Sequence, residues 1–264
     1  MVAALLGHNP RRVPARVTCS FKQAWADVAK LVDAADLKSA FRKGVWVRVP
    51  PSAPNLRLEV HKLHLWRGDR HLLRGLSFAL DPGSALQLLW PNGTGKTSLL
   101  RCLAGFLHAE EGQIRWGGQS VRADRDAFHW DMAYLGHDTA LKADLTALEN
   151  LRFACALRVP RGEAPLQAAL DSVGLSKIDP RQPVRSLSAG QQRRVALARL
   201  SLWDAKLWLL DEPAANLDAA GQAVLEALLK AHMESGGAAI LATHHALALP
   251  QAHCRLWQSP SDPA

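Results

Sequence analysis

The sequence predicts an α/β fold for residues 55–264: a mixed, mainly parallel sheet covered on both faces, an antiparallel β subregion, and an inserted helical subdomain at about 140–190. Three observations carry this. Apolar runs (Ala85–Leu89, Leu207–Leu210, Ala238–Ala242) alternate with stretches of helical apolar spacing, as in parallel sheets buried on both sides. The first run leads through Trp90-Pro91-Asn92-Gly93-Thr94-Gly95-Lys96-Thr97 into the helical stretch Ser98–Leu103, which is the layout of a phosphate-binding loop. The second run ends in two carboxylates, Asp211 and Glu212.

In chain order, Leu56–Leu65 alternates apolar and polar residues and reads as edge strands of an antiparallel sheet, with a bend at Trp66-Arg67-Gly68. Leu72–Leu80 is a further strand, closed by the turn residues Asp81-Pro82-Gly83. After the loop and its helix, Gly112–Val121 holds a Gly117-Gly118 hairpin, and Met132–Gly136 is a short buried strand ending at His137. Leu145–Leu157 and Pro165–Val173 have helical spacing with Gly and Pro between them, which defines the insert. Ser186–Trp203 is a small-residue turn followed by an Arg-rich aliphatic helix; Leu217–Met233 is an amphipathic helix, and Cys254–Trp257 a last strand.

The chain of 264 residues is 48% apolar and 21% charged, the composition of a globular protein, and no run reaches the roughly 18 apolar residues of a membrane span. The four cysteines form no Cys-x-x-Cys pair and are expected as reduced thiols. The formal charge of +8 is uneven: residues 1–54 hold nine Lys/Arg against three Asp, and the remainder holds 23 Lys/Arg against 21 Asp/Glu. A nearly balanced main domain argues against a nucleic-acid partner.

Residues 1–54 form a basic extension outside the main domain. Ala26-Asp27 and Pro51-Ser52-Ala53 can be encoded by complementary bases, GCGGAC and GTCCGC. Two further stretches, Ala35–Ala40 and Val45–Pro50, can encode stem-loops. Residues 26–54 therefore read as a translated leucine-type transfer-RNA gene, with the true start expected near Leu56.

Within the loop, Gly93 and Gly95 permit positive φ, so that amides of Asn92, Gly93, Thr94, Gly95, Lys96, Thr97 and Ser98 can turn toward phosphate oxygens at a helix N-terminus. Lys96 is expected to reach the β- and γ-phosphates and Thr97 to hold Mg²⁺. Asp211 is a second Mg²⁺ ligand, direct or through water, and Glu212 is placed as general base for an attacking water. Trp90 stands where G-x-x-x-x-G-K-[ST] has its first glycine. An indole at that turn is expected to crowd it.

Leu187-Ser188-Ala189-Gly190-Gln191-Gln192 resembles the signature motif of ABC-transporter ATPases, usually Leu-Ser-Gly-Gly-Gln. Ala215-Asn216-Leu217-Asp218 resembles their D-loop, and Thr243-His244-His245 follows a strand as their switch histidine does. The resemblance covers about residues 56–258 and implies a P-loop NTPase domain of the ABC type using ATP and Mg²⁺. It further implies that Ser188, Gly190 and Gln191 meet the γ-phosphate held by a second copy in a head-to-tail homodimer, and that His244 contacts that phosphate at the chain's own site. Glu212, His244 and Lys96 are then the catalytic set. His137 occupies the place of the family's Q-loop glutamine. With Tyr134-Leu135-Gly136-His137 and Leu145-Thr146-Ala147-Leu148-Glu149-Asn150-Leu151, the chain is similar to the haem-exporter ATPase subunits of cytochrome c maturation. That implies integral membrane permease partners and a peripheral position on the cytoplasmic face of the inner membrane. Weighed beside it are an ATPase of another ABC exporter, a non-transport ABC protein of translation or DNA repair, and a subunit disabled at Trp90, in which Trp90→Gly restores MgATP binding or turnover.

Overall fold

The computed structural model describes residues 56–258. The basic extension, its transfer-RNA reading and Cys19 lie outside the described residues. Parallel and antiparallel pairing are segregated into two sheets. Strands β1 (Leu58–Arg67), β2 (Arg70–Leu80), β4 (Glu111–Trp116) and β5 (Gln119–Ser120) form an antiparallel sheet in the order β2-β1-β4-β5. Strands β3 (Ala85–Leu88), β6 (Met132–Leu135), β7 (Leu207–Asp211), β8 (Ala238–Ala242) and β9 (Cys254–Trp257) form a parallel sheet in the order β6-β7-β8-β3-β9. The parallel strands are connected through helices α1 (Lys96–Leu103), α2 (Arg125–Asp131), α3 (Ala147–Ala156), α4 (Glu163–Ser172), α5 (Ala189–Ser201) and α6 (Ala219–Glu234).

Why the parallel strands read as unbroken apolar runs is visible in their packing. Successive side chains of a strand point to opposite faces. Here Trp208, Leu210, Ala239 and Leu241 enter one core with helices α3 to α6. Their neighbours Leu207, Leu209, Ala238, Ile240 and Ala242 enter a second core, with Leu99, Leu100 and Leu103 of α1 and the antiparallel sheet. Gln87 is the polar exception within β3; it is 1% exposed, and its amide holds both the N–H and the carbonyl of Leu247.

The insert between β6 and β7 is fixed by local signals. Thr146 and Glu149 close a reciprocal capping box at the start of α3. The buried amide of Asn150 accepts from the Lys142 N–H and donates to the carbonyls of Lys142, Leu145 and Thr146, tying down the segment that leads into the helix. Pro165 falls in the first turn of α4, where the absent N–H costs no helical bond. Helix α2 is the element that composition did not announce; Asp124 caps it, and Phe128 is its one buried side chain. Among the described residues, no helix is long and apolar enough to cross a membrane, and Cys102, Cys155 and Cys254 are free thiols.

Candidate functional site at the carboxyl ends of the parallel strands

Register places four strand ends at one level: Leu88 of β3 and Asp211 of β7 both pair with Ala242 of β8, and Leu135 of β6 pairs with Leu210. Ligands of open parallel sheets bind outside this edge. The segments that leave it carry most of the sequence-predicted residues: the loop Trp90–Ser98 after β3, Gly136-His137 after β6, Asp211-Glu212 at the end of β7, and Thr243-His244 after β8.

The loop has the predicted backbone, with Gly93 at φ 72° and Gly95 at φ 108°. Gly95 is the N-cap of α1 and brings no side chain to it, so the cap leaves the first-turn amides of Lys96, Thr97 and Ser98 to an outside acceptor. Thr94 Oγ1 donates to the Pro91 carbonyl at 2.7 Å, and Lys96 Nζ spans the loop to the Trp90 carbonyl at 2.6 Å.

Trp90 itself corrects the steric expectation. Its φ is not left-handed, so the position makes no demand that only glycine meets. The indole is 1% exposed and is buried in the core shared with α1, edge-on to Trp257 at a ring separation of 5.0 Å. It lies beneath the loop, and the buried indole nitrogen has no hydrogen-bond partner. What the tryptophan brings is one unsatisfied donor, not an obstruction at the turn.

Beside the loop, His244 Nε2 lies 3.2 Å from Glu212 Oε1, joining two residues that are distant in sequence. Glu212 has φ 49°, a left-handed conformation unusual for a residue with a side chain, while its N–H still continues the ladder to the Ala242 carbonyl at 2.9 Å. Asp211 is 2% exposed, and its Oδ1 has no partner. A buried, unsatisfied carboxylate oxygen at this edge fits a divalent cation or its bound water. Among the described residues, no cluster of three or more His, Cys, Asp or Glu could hold a metal alone. The Asp211 carboxylate and the Thr97 hydroxyl are hard oxygen donors of the kind Mg²⁺ takes alongside phosphate oxygens and water.

His137 reaches the edge with its main chain, while its side chain stands exposed. Ser188, Gly190 and Gln191 are not brought to the loop. They line a separate surface depression with Arg194, Asn216 and Asp218, in which none of residues 90–98 takes part. Ser188 caps α5, accepting from the Gln191 N–H, and Gln191 Oε1 accepts from the Ser188 N–H. Gly190 is required by proximity: a Cβ there would stand 2.7 Å from the Asn216 carbonyl oxygen, so signature and D-loop segments touch within one chain.

Sequence reading passed over Arg193, which is 2% exposed and directs its guanidinium to the main chain at the ends of β6 and β7. Burial pulls its pKa down from the ordinary arginine value, and nearby Asp211 and Glu212 raise it in part. A signal was present: Arg193, Ala196, Leu197 and Leu200 recur at helical spacing, so this arginine sits on the buried face of α5.

The profile of the ABC transporter family matches residues 73–215. The cytochrome c biogenesis ATP-binding export protein CcmA of Xanthomonas axonopodis pv. citri is 48% identical over 206 residues, covering 78% of this chain and 94% of the relative. The protein of the same name from Vibrio cholerae is 47% identical over 188 residues, covering 71% and 90%. Among solved structures, an ATP-binding protein of an ABC transporter from Pyrococcus furiosus superposes with a TM-score of 0.66 at 23% identity, covering 76% of this chain and 96% of that one. That likeness concerns the fold alone. With a phosphate loop, a carboxylate pair, a histidine and a signature helix disposed on one sheet as described, the chain belongs to the ABC transporter family, among relatives of the CcmA type.

Proposed function

We propose that this chain binds and hydrolyses MgATP as the ATP-binding subunit of an exporter serving cytochrome c biogenesis, with haem delivery as its task. The observation that carries the chemistry is the contact between Glu212 and His244 beside the Lys96 loop. The amides of residues 92–98 and the Lys96 ammonium would cradle the phosphates and hold the γ-phosphoryl group in place, which is most of what phosphoryl transfer requires. Thr97 and Asp211 would hold Mg²⁺, which supplies charge stabilisation on the phosphate oxygens. Glu212 orients the attacking water and accepts its proton, and His244 fixes the Glu212 carboxylate from the side.

The separation of the signature depression from the loop supports a working dimer. A second copy, docked head to tail, would present its Ser188, Gly190 and Gln191 to the nucleotide bound by the first. The names of the relatives support a role in export and in cytochrome c biogenesis. The relatives' names as export proteins support separate membrane-embedded permease chains that would carry the path, with this subunit peripheral on the cytoplasmic face of the inner membrane.

The test is genetic and enzymatic. The chain is expressed in a bacterium deleted for its own subunit, and covalently bound haem in c-type cytochromes is measured. Restoration by the wild-type chain and none by Glu212→Gln is the expected outcome. A well-expressed chain that hydrolyses ATP yet restores no cytochrome would assign it to another exporter.

A further inference from the structure

The Arg193 guanidinium has five N–H donors, and each has a backbone carbonyl to meet. Nε donates to Pro213 at 3.2 Å; Nη1 donates to Gly136 at 2.9 Å and His137 at 3.3 Å; Nη2 donates to Asp211 at 2.8 Å and Glu212 at 2.5 Å. These acceptors belong to two segments that leave neighbouring strands, β6 and β7, at the carboxyl edge. The donor itself sits on α5, one turn beyond the signature residues Ser188 and Gly190. One buried cation thus joins three segments that the sequence keeps more than seventy residues apart at the widest, from Gly136 to Pro213.

Its position relative to Glu212 is specific. The Glu212 N–H is fixed by Ala242, its carbonyl by Arg193 and by the Ala215 N–H at 3.0 Å, and its carboxylate by His244. A side-chain-bearing residue in the left-handed region is held there only if its surroundings over-determine it. Arg193 supplies the one restraint of the four that comes from the signature helix.

We infer that Arg193 is a positioning residue for hydrolysis: it holds Glu212 in its left-handed conformation and ties the main chain that carries its carboxylate to the signature helix and to the His137 segment. The inference rests on the reading of Glu212 as the base for ATP hydrolysis. A lysine cannot replace it, because a tetrahedral ammonium with three donors cannot serve five carbonyls arranged around a planar fork.

The experiment uses the full chain and measures melting temperature, equilibrium affinity for ATP and steady-state turnover. Arg193→Lys is expected to keep ATP affinity within about threefold, since residues 92–98 bind the phosphates, and to lower kcat about 10- to 100-fold. In Arg193→Ala, millimolar guanidinium is expected to restore part of the turnover. When Glu212 is already Gln, adding Arg193→Lys should cost no further turnover, because the two residues act as one unit. The inference is overturned if folded Arg193→Lys keeps kcat within about twofold of wild type, if affinity falls in step with kcat, or if the loss is the same in both backgrounds. It is equally overturned if neither variant retains a folded, ATP-binding state, because the role is then architectural. A wild-type chain that binds ATP without turnover overturns the hydrolysis reading and this inference together; loss of this inference alone requires an active wild type.

Discussion

Replacing Trp90 by glycine distinguishes a tryptophan that supports the loop from one that obstructs it. The side chain is 1% exposed in the core under α1. Burial of a tryptophan removes about 150–250 Å² from water, or about 4–6 kcal/mol at ~25 cal/mol/Å². The edge-on contact with Trp257 adds about 1 kcal/mol. Against this stands the buried indole N–H without a partner, whose removal returns about 1–3 kcal/mol. Glycine recovers nothing in backbone strain, since φ at position 90 is not left-handed. The net expectation is a loss of about 4 kcal/mol, which for a domain of this size lowers the melting temperature by about 8–16 °C. Trp90→Phe, which keeps an aromatic edge and discards the orphan donor, should stay within about 1 kcal/mol of wild type. The assay is thermal and urea unfolding of the full chain, with and without MgATP, alongside ATP turnover. If Trp90→Gly is as stable as wild type, or binds and turns over ATP about tenfold better, the indole is an obstruction and the reasoning fails.

Other expectations follow from the same geometry. Glu212→Gln should bind ATP normally and lose about 10²- to 10⁴-fold in turnover, read by equilibrium binding and phosphate release. His244→Ala frees the Glu212 carboxylate on one side and should lower kcat about 10- to 100-fold with little change in affinity; equal losses in both would refute the positioning role. Gly190→Ala forces a methyl against the Asn216 carbonyl and should cost about 1–3 kcal/mol in urea unfolding. His232, stacked on Trp208 at 3.9 Å and donating through Nε2 to the Ala238 carbonyl, is pushed by burial from 6.5 to about 4. The unfolded chain therefore takes up that proton first. Stability from this group is whole above about pH 6.5, falls by about 3 kcal/mol in all as pH drops, and levels off below about 4. His232→Phe should remove that part of the acid sensitivity in urea titrations between pH 7 and 4.

What the sequence determined by itself is local. Apolar continuity marked β3, β7 and β8 because both faces of those strands are buried. Paired glycines marked the loop because Gly93 and Gly95 need positive φ, a demand a residue makes alone. The Thr146–Glu149 and Ser188–Gln191 capping boxes, seen once the structure is known, are likewise relations between residues three apart. The tertiary structure decided what depends on neighbours brought from far along the chain. Strand order put β8 between β7 and β3, and only that order sets His244 against Glu212. The direction of the Trp90 side chain turned an apparent defect of the loop into a core residue, because a motif records identities and not the face to which a side chain points. Arg193 read as one more basic residue of an Arg-rich aliphatic helix, since the five carbonyls that explain its burial are supplied by two segments that meet it only once the sheet has formed.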